Sequence, residues 1–327
     1  MEFHKKYLLP LVAGIGIIVF ITSASVLIPK VSALAQPKFT GVNIFDKTKN
    51  ECPGIRWVDP IDSAQMVFPI TVEGELYFAG ERVPLEDPDV RERLEREIQV
   101  NAYWHSNTLM SMKLANRYFG DIEKILTDNG VPTDFKYLAL VESSFRNETS
   151  PAGAVGFWQF VKPTAKSYGL DVNDEVDERY NYEKSTLAAC IYLNEAKQKL
   201  GTWTMAAASY NMGMGGARDR MADQKVDNYY DMFFNQETSR YVFRMLALKI
   251  IFSNPQRAGF FVKNEELYQP YKYKIVEVDT PITNIANFAA QYGLKYKHIK
   301  ILNPWLRDAQ LTNKEHKKYS IKILEPK

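Results

Sequence analysis

Apolar residues recur at helical intervals through the middle of the chain. Between Asp87 and about Ser253 they return every three or four positions, the spacing that places them on one face of an α-helix. Gly130, Gly201 and Gly213 follow three of these patterns and predict helix ends, because glycine readily takes the left-handed conformation that closes a helix. The predicted helices are Asp89–His105, Asn107–Phe119, Gly120–Asn129, Thr133–Ser143, Pro163–Tyr168, Tyr182–Leu200, Thr202–Asn211 and Thr238–Phe252.

The pattern changes after Asn254-Pro255. Residues 271–278 alternate between apolar and polar side chains, as a strand with one buried face does. The later segments are a turn at Asp279-Thr280-Pro281, a helix from Ile282 to Tyr292, a helix at Tyr296–Leu302 and a strand at Tyr319–Leu324. The chain therefore ends in a second, smaller domain of βααβ order, and the fold class is mainly α.

The N-terminus carries an export signal. Lys5 and Lys6 precede an apolar run from Tyr7 to Pro29 that contains no charged residue and is long enough to span a bilayer as a helix. This length favours an uncleaved membrane anchor, whereas the small residues of Ala33-Leu34-Ala35 fit the alternative, a removed signal peptide. Positive residues before the run place the rest of the chain outside the cytoplasm, in the periplasm or cell envelope.

Composition removes some classes of partner and site. With 46% hydrophobic and 24% charged residues the 327-residue chain is typical of folded proteins. Its 41 basic and 39 acidic residues give a net charge of +2, so nothing calls for nucleic acid as a partner. Cys52 and Cys190 suggest neither a disulfide framework nor a metal site, and Cys190 is predicted to be a small buried residue.

The acidic stretch Asp171–Asp177 resembles a calcium loop only superficially. Val176 stands where the EF-hand loop needs glycine, and Tyr182 stands where it needs a bidentate glutamate. The stretch is therefore predicted to be a solvated acidic loop, and no metal or cofactor is expected.

Glu142 is the candidate general acid. It lies at helical spacing from Leu138, and Phe145, Phe157 and Trp158 supply apolar surroundings nearby in the sequence. A carboxylic acid donates a proton near neutral pH only if burial raises its pKa, as in the well-known lysozyme glutamic acid beside a tryptophan. On its own, a glutamate at the end of a helix would more often be a solvated residue.

Four sequence clusters follow one another in a fixed order, and together they favour a catalytic Glu142 over a solvated one. They are Glu142-Ser143-Ser144-Phe145; Ser150-Pro151-Ala152-Gly153-Ala154-Val155-Gly156-Phe157-Trp158-Gln159-Phe160; Ala206-Ala207-Ala208-Ser209-Tyr210-Asn211-Met212-Gly213; and Glu237-Thr238-Ser239-Arg240-Tyr241-Val242. In this order they resemble the transglycosylase SLT family, the goose-lysozyme-like lytic transglycosylases, over about Asp87 to Gln256. The resemblance implies a lysozyme-like helical catalytic domain that acts on peptidoglycan glycan strands.

The resemblance also assigns roles to residues of this chain. It implies that Glu142 is the catalytic acid and that Tyr241 places its hydroxyl close to that carboxyl group. Ser143, Ser150, Gln159, Tyr210, Asn211 and Tyr241 are the expected substrate-binding residues. Glu237 is expected to have a structural role at the start of its helix.

The C-terminal βααβ segment, Tyr273 to Leu324, resembles the LysM module, which binds glycans that contain N-acetylglucosamine. The acidic-threonine turn, Phe288, Tyr292-Gly293 and Ile301-Leu302-Asn303-Pro304 carry the resemblance. The turn reads Val278-Asp279-Thr280 in place of the usual Gly-Asp-Thr, and the usual Pro-Gly before the last strand is missing. Glycan binding and a small packing domain both remain open.

The number of carboxylates in the motifs decides the expected reaction. Retaining and inverting glycosidases ordinarily use two, whereas the motifs here supply only Glu142. The family resemblance implies that Glu142 protonates the glycosidic oxygen and then deprotonates the C6 hydroxyl of N-acetylmuramic acid, which closes a 1,6-anhydro ring. One alternative is a muramidase, which would need a second acid; Glu148 and the acids of the 171–178 loop are the candidates. The other alternative is a non-catalytic scaffold that binds the cell wall.

These predictions divide the chain into five parts. They are an anchor or signal peptide at 1–35, an irregular lead with one or two strands at 36–87, the catalytic domain at 88–256, a linker at 257–271 and the LysM-like glycan-binding domain at 272–327. Peptidoglycan is the expected partner, with the membrane joined through an uncleaved N-terminus. No obligate protein partner is expected.

Overall fold

The computed structural model describes residues 68–325, and it is mainly helical. The helices are α1 (Pro88–Tyr103), α2 (His105–Asp128), α3 (Lys136–Ser143), α4 (Lys162–Ser167), α5 (Tyr182–Leu200), α6 (Trp203–Met212), α7 (Met214–Gln224), α8 (Gln236–Ser253), α9 (Ile285–Gln291) and α10 (Tyr296–Leu302). Two antiparallel pairs of strands complete it, β1 (Leu76–Phe78) with β2 (Glu81–Val83), and β3 (Tyr273–Val278) with β4 (Tyr319–Leu324). The predicted fold class is confirmed.

Most predicted elements form at their predicted places. The bounds of α5, α10 and β4 are those expected from the periodicity, and Gly201 and Gly213 close α5 and α6 with positive φ angles. Gly130 also has a positive φ, one residue beyond the cap of α2. Cys190 is buried, as predicted.

Two helices differ from the predictions. Residues predicted as two helices divided at Gly120 form the single helix α2, because Ala115 and Ile122 keep one buried face across the glycine. Burial along that face outweighs the roughly 1 kcal/mol by which an interior glycine weakens a helix. Helix α7 was missed because Ala217 is its only buried residue, which leaves little apolar periodicity to detect.

The hairpin β1–β2 falls inside the predicted irregular lead, and it belongs to the helical core. Phe78 and Val83 are buried there with residues of the helices. The Glu81 carboxylate accepts hydrogen bonds from the backbone N–H groups of Trp203 (2.5 Å) and Thr204 (2.9 Å), which begin α6. The hairpin therefore caps a helix that carries two of the candidate site residues.

Helices α1 and α8 pack against each other around a buried acid. Glu97 of α1 is 1% exposed, and both its oxygens accept hydrogen bonds from Arg240 of α8, at 2.6 and 3.1 Å. Arg96 donates a further hydrogen bond to it, and Arg244 lies 4.0 Å away. A buried carboxylate held this way fixes the register of α8, the helix that carries Glu237 and Tyr241.

The C-terminal domain has its own core and a specific attachment. Strand β3 pairs with β4 from Tyr273 opposite Leu324 to Val278 opposite Tyr319; α10 packs against β4, and α9 packs against α10. Its core includes Val176 of the helical domain, which is 1% exposed and forms a β-bridge with Leu306. The Arg307 backbone N–H donates to the Glu175 carbonyl at 2.7 Å.

The prediction of a solvated acidic loop is therefore wrong. Four of its acids have specific partners, while Asp174 is exposed: Asp171 pairs with Lys317, the Glu175 carboxylate accepts from Thr312, and Asp177 and Glu178 are buried beside Arg179 and Lys184. The acidic sequence pattern reflects a docking loop for the C-terminal domain. Within residues 68–325, no cluster of three or more His, Cys, Asp or Glu side chains has the arrangement of a metal site.

The N-terminal predictions lie outside the described residues. These are the apolar run Tyr7–Pro29, the cleavage pattern at residues 33–35 and Cys52. Among residues 68–325, no helix combines the length and the hydropathy needed to cross a bilayer. The anchor and the division of the chain into five parts remain predictions. Phe68–Val72, within the predicted lead, forms no strand.

Replacing Glu97 with glutamine is expected to lower the free energy of unfolding by about 3 kcal/mol, because it removes the charge that compensates Arg240 inside the fold. Denaturant titration measures this loss. Asp128→Asn is the matched control, since it breaks the exposed ion pair with Lys124 and should cost less than about 1 kcal/mol. Equal losses in the two variants would contradict a structural role for the buried acid.

Candidate active site

Helix α3 presents Glu142 close to its C-terminal end. Leu138 and Ala139 are fully buried and anchor the helix, while Glu142 is only partly buried. The helix stops because Ser144 and Phe145 both have left-handed φ angles, of 51° and 57°. Such angles are uncommon for residues other than glycine, and they turn the chain away directly after the acid.

Tyr241 of α8 holds the Glu142 side chain. Its hydroxyl donates a hydrogen bond to Oε1 of Glu142, and its ring is 2% exposed. Its surroundings together raise the pKa of Glu142 to about 7. Burial is the largest cause; the Tyr241 hydrogen bond lowers the pKa, the charge of Glu237 raises it and the charge of Arg244 lowers it. Glu142 is thus able both to donate and to accept a proton near neutral pH.

The loop between residues 150 and 160 is held from behind by Arg179. The Arg179 guanidinium donates to the carbonyls of Gly153 (3.0 Å) and Phe160 (3.1 Å) and forms an ion pair with Asp177 at 2.7 Å. Gly156 lies so close that a Cβ there would be 2.0 Å from the Arg179 carbonyl oxygen. Only glycine fits at this approach, and its φ of 80° adds the same restriction.

Gln159 and Ser150 lie on this loop and use part of their hydrogen-bonding capacity to shape it. The Gln159 amide nitrogen donates to the carbonyls of Gly156 (2.8 Å) and Glu148 (3.2 Å), and the Ser150 hydroxyl accepts from the Ala154 N–H at 3.0 Å. Within the described residues, Oε1 of Gln159 accepts no hydrogen bond. That oxygen and the Ser150 hydroxyl proton are available to a ligand.

Helix α6 brings Tyr210 and Asn211 to the same place. Ala206, Ala207 and Ala208 are completely buried, which lets the helix pack closely. The Tyr210 hydroxyl donates to the Trp158 carbonyl at 2.7 Å, so it ties α6 to the loop that carries Gln159. Asn211 donates to Glu237 at 3.0 Å and accepts from the Thr238 hydroxyl at 2.7 Å.

Five of the predicted site residues share one cleft with Glu237. The cleft has a volume of about 410 Å³. Its lining includes Glu142, Ser150, Gln159, Tyr210, Asn211 and Glu237. The prediction of a purely structural Glu237 missed this placement, although its spacing of four residues from Tyr241 puts both side chains on one face of α8.

Ser143 and Tyr241 do not line the cleft. The Ser143 hydroxyl lies 3.1 Å from the Ala139 carbonyl and 3.0 Å from the Phe157 carbonyl, and it accepts from the Phe145 N–H. These bonds fasten the end of α3 and give no support to the predicted substrate contact of Ser143. Tyr241 is buried behind Glu142 and contacts its carboxyl group through the hydroxyl, as the family pattern implied. It therefore positions the acid.

The proposed second acids of a muramidase have other partners. The carboxylates of Asp171 and Glu175 contact the C-terminal domain, and those of Asp177 and Glu178 pair with Arg179 and Lys184 of the helical domain. Glu148 lies 3.5 Å from Arg146 and is largely exposed. Glu237 shares the 410 Å³ cleft with Glu142, and Glu148 lines a neighbouring cavity together with Glu142.

Two parts of the chain match models of known families. Residues 122–233 match the family model of the transglycosylase SLT domain, and residues 274–327 match that of the soluble lytic transglycosylase C-terminal LysM-like domain. The chain is 27% identical over 266 residues to the membrane-bound lytic murein transglycosylase D of Escherichia coli (strain K12), and equally to that of strain CFT073. These matches cover 78% of this chain and 56% of the relatives, so the chain spans little more than half their length.

A solved structure also matches. It is the X-ray structure of an inactive mutant of the lytic transglycosylase Slt from Pseudomonas aeruginosa, with a TM-score of 0.34 and 19% identity, covering 47% of this chain and 26% of that one. The family models cover Glu142 and every predicted substrate-binding residue except Tyr241. The chain therefore carries a transglycosylase SLT domain and ends in a LysM-like domain of the soluble lytic transglycosylase type.

Proposed function

We propose that this protein is a peptidoglycan lytic transglycosylase, with Glu142 as its single general acid and base. One observation carries the proposal. Within an SLT domain, a partly buried glutamic acid with a pKa of about 7 faces a polar cleft and is held by a buried tyrosine. The proposed cleavage site is the β-1,4 bond between N-acetylmuramic acid and N-acetylglucosamine.

The proposed reaction proceeds without water. Glu142 gives its proton to the glycosidic oxygen, and the bond between this oxygen and C1 of N-acetylmuramic acid breaks. The Glu142 carboxylate then takes the proton of the C6 hydroxyl, whose oxygen attacks C1 and closes a 1,6-anhydro ring. Glu142 ends protonated, as it began, so neither a metal nor a cofactor enters the balance.

A pKa of about 7 suits both steps. At neutral pH a substantial fraction of Glu142 is protonated and can start the reaction, and the carboxylate that results is basic enough to accept the second proton. The Tyr241 hydrogen bond stabilises this carboxylate form. Proton transfer of this kind contributes about 10² to 10⁴-fold in rate, so binding and orientation supply the remainder.

The other cleft residues would bind and orient the strand. The Gln159 carbonyl oxygen and the Ser150 hydroxyl suit the N–H and hydroxyl groups of a sugar. Asn211 bridges Glu237 and Thr238 and so orients Glu237 in the cleft. Tyr210 ties its helix to the loop of Gln159, and its ring lies beside the acid in the lining.

A muramidase is the second candidate, and the placement of Glu237 favours it over a non-catalytic wall-binding scaffold. Two carboxylates in one cleft are what a glycosidase needs, one as the acid and the other as nucleophile or as base for water. The products distinguish the two reactions, since hydrolysis leaves a reducing end and the proposed reaction leaves an anhydro end. A wall-binding scaffold would release no sugar at all.

The remaining predictions complete the proposed role. The C-terminal domain would hold glycan that contains N-acetylglucosamine close to the cleft. The N-terminal apolar segment would anchor the protein in the membrane of the cell envelope, as the name of the Escherichia coli relatives indicates for those proteins.

Glu142→Gln is expected to lower the release of sugars from purified murein sacculi by at least about 10²-fold, because glutamine keeps the shape of the side chain and loses its proton. Mass spectrometry of the wild-type digest should show 1,6-anhydromuramic acid ends. Glu92→Gln, on an exposed face of α1, is the matched control and should keep full activity. Full activity of the Glu142 variant, or wild-type products with only reducing ends, would refute the proposal.

Tyr241→Phe is expected to move the alkaline limb of the kcat/KM profile to higher pH. The Tyr241 hydrogen bond lowers the pKa of Glu142, so its loss raises that pKa and keeps the acid protonated at a higher pH. Above the pKa, kcat/KM should fall about tenfold for each pH unit in both proteins. A limb that moves to lower pH would contradict the assigned role of this hydroxyl.

Glu237→Gln is expected to move the same limb in the opposite direction. The negative charge of Glu237 raises the pKa of Glu142, so removing it lowers that pKa and the loss of activity begins at a lower pH. A lytic transglycosylase with this variant should still release anhydro products near pH 5. If Glu237 is instead the second acid of a hydrolase, cleavage should fall about 10²-fold or more at every pH.

A further inference from the structure

The cleft at Glu142 continues past the acid along the surface. A second cavity, of about 330 Å³, also has Glu142 in its lining and extends to Asn107, Ser144 and Arg146. A third, of about 350 Å³, shares those three residues and reaches Trp104 and Met110. The second cavity is itself lined by Trp104, so a surface groove runs from Glu142 to the region of the third cavity. We call its far part, lined by Trp104, Asn107, Met110, Ser144 and Arg146, the distal groove.

Trp104 has an unusual position in the distal groove. It lies between α1 and α2, and its side chain is 57% exposed. Val100 and Met110 beside it are 42% and 43% exposed. Within residues 68–325 the Trp104 indole N–H donates no hydrogen bond. A tryptophan held this way offers an apolar ring face and a polar edge to a ligand.

The backbone at Trp104 is firmly placed. Its N–H donates to the Val100 carbonyl at 3.1 Å, and its carbonyl accepts from the Thr108 N–H at 3.0 Å. The Thr108 hydroxyl also donates to the Asn101 carbonyl at 2.6 Å, which ties the two helices together at this corner. The exposed ring is therefore presented by rigid structure, which reduces the entropy that a ligand must overcome on binding.

The charges of the groove are already paired within the protein. Arg146 lies 3.5 Å from Glu148 and donates to Oδ1 of Asn107 at 3.2 Å. Arg240 is paired with the buried Glu97. A ligand with one apolar face and a hydroxyl-bearing edge matches the exposed tryptophan and the amide, hydroxyl and guanidinium groups beside it. A sugar ring has that chemistry.

We propose that the distal groove binds a further sugar of the glycan strand, with its ring stacked on Trp104 and its edge hydroxyls near Asn107 and Arg146. The inference rests on the proposed function, since the same strand would pass Glu142. Trp104 lies outside residues 122–233, which match the SLT family model, so nothing in that match assigns it a role. Strand length would then be a determinant of binding.

Calorimetric titration with N-acetylglucosamine oligomers of increasing length tests this proposal. The background is Glu142→Gln, so that no oligomer is cut during the measurement. With Trp104 present, the association constant should rise with oligomer length until the distal groove is filled. Adding Trp104→Ala should lower the ratio of the association constants for the longest and shortest oligomers about tenfold, as expected from the loss of one stacked ring.

Two further variants make the outcome decisive. Trp104→Phe keeps an aromatic face and should restore most of the length dependence. Phe233→Ala is the matched control, because Phe233 is 85% exposed and lines none of the three cavities. Equal length dependence with and without Trp104, or equal weakening at every length, would overturn the proposal. Neither result would touch the proposed function, which the wild-type digestion of sacculi tests separately.

Discussion

The contact between the Tyr241 hydroxyl and the Glu142 carboxyl group is the interaction on which the rest of the site depends. Burial raises the pKa of Glu142, and this hydrogen bond is the larger of the two effects that lower it again, ahead of the charge of Arg244. The contact forms only if α8 packs against α3 in the axial position that brings Tyr241 next to Glu142. The buried Glu97, with its arginines on α8, provides that registration.

A second constraint acts on the opposite wall of the cleft. The Arg179 guanidinium donates hydrogen bonds to the carbonyls of Gly153 and Phe160. Because Gly156 has no side chain, the loop can pack directly against the Arg179 backbone. The buried ion pair with Asp177 keeps the guanidinium in place. The loop of Gln159 is therefore rigid from behind, so the binding groups on its front are preorganised. On each wall, a buried ion pair therefore positions polar side chains of the cleft.

The sequence predicted what depends on periodicity and on side-chain type. Most helices, the βααβ order and the neighbours of Glu142 in the cleft follow from such patterns. Features that depend on the tertiary fold could not be predicted: α2 continues through Gly120 because a neighbouring surface covers its apolar face, and α7 has little buried surface to give a pattern. The place of Glu237 in the cleft and the exposure of Trp104 likewise depend on how distant helices meet.

The docking of the C-terminal domain through Val176 bears on the role proposed for it, which is to hold glycan near the cleft. A module on a flexible linker raises the local concentration of its ligand by an amount that the linker length sets. Here Val176 sits inside the core of the module, and residues 257–271 are tied to α2, where Arg117 lies over the Tyr271 ring at 4.3 Å. Under the proposed function, a strand held by this domain would therefore meet the cleft at one fixed distance and angle.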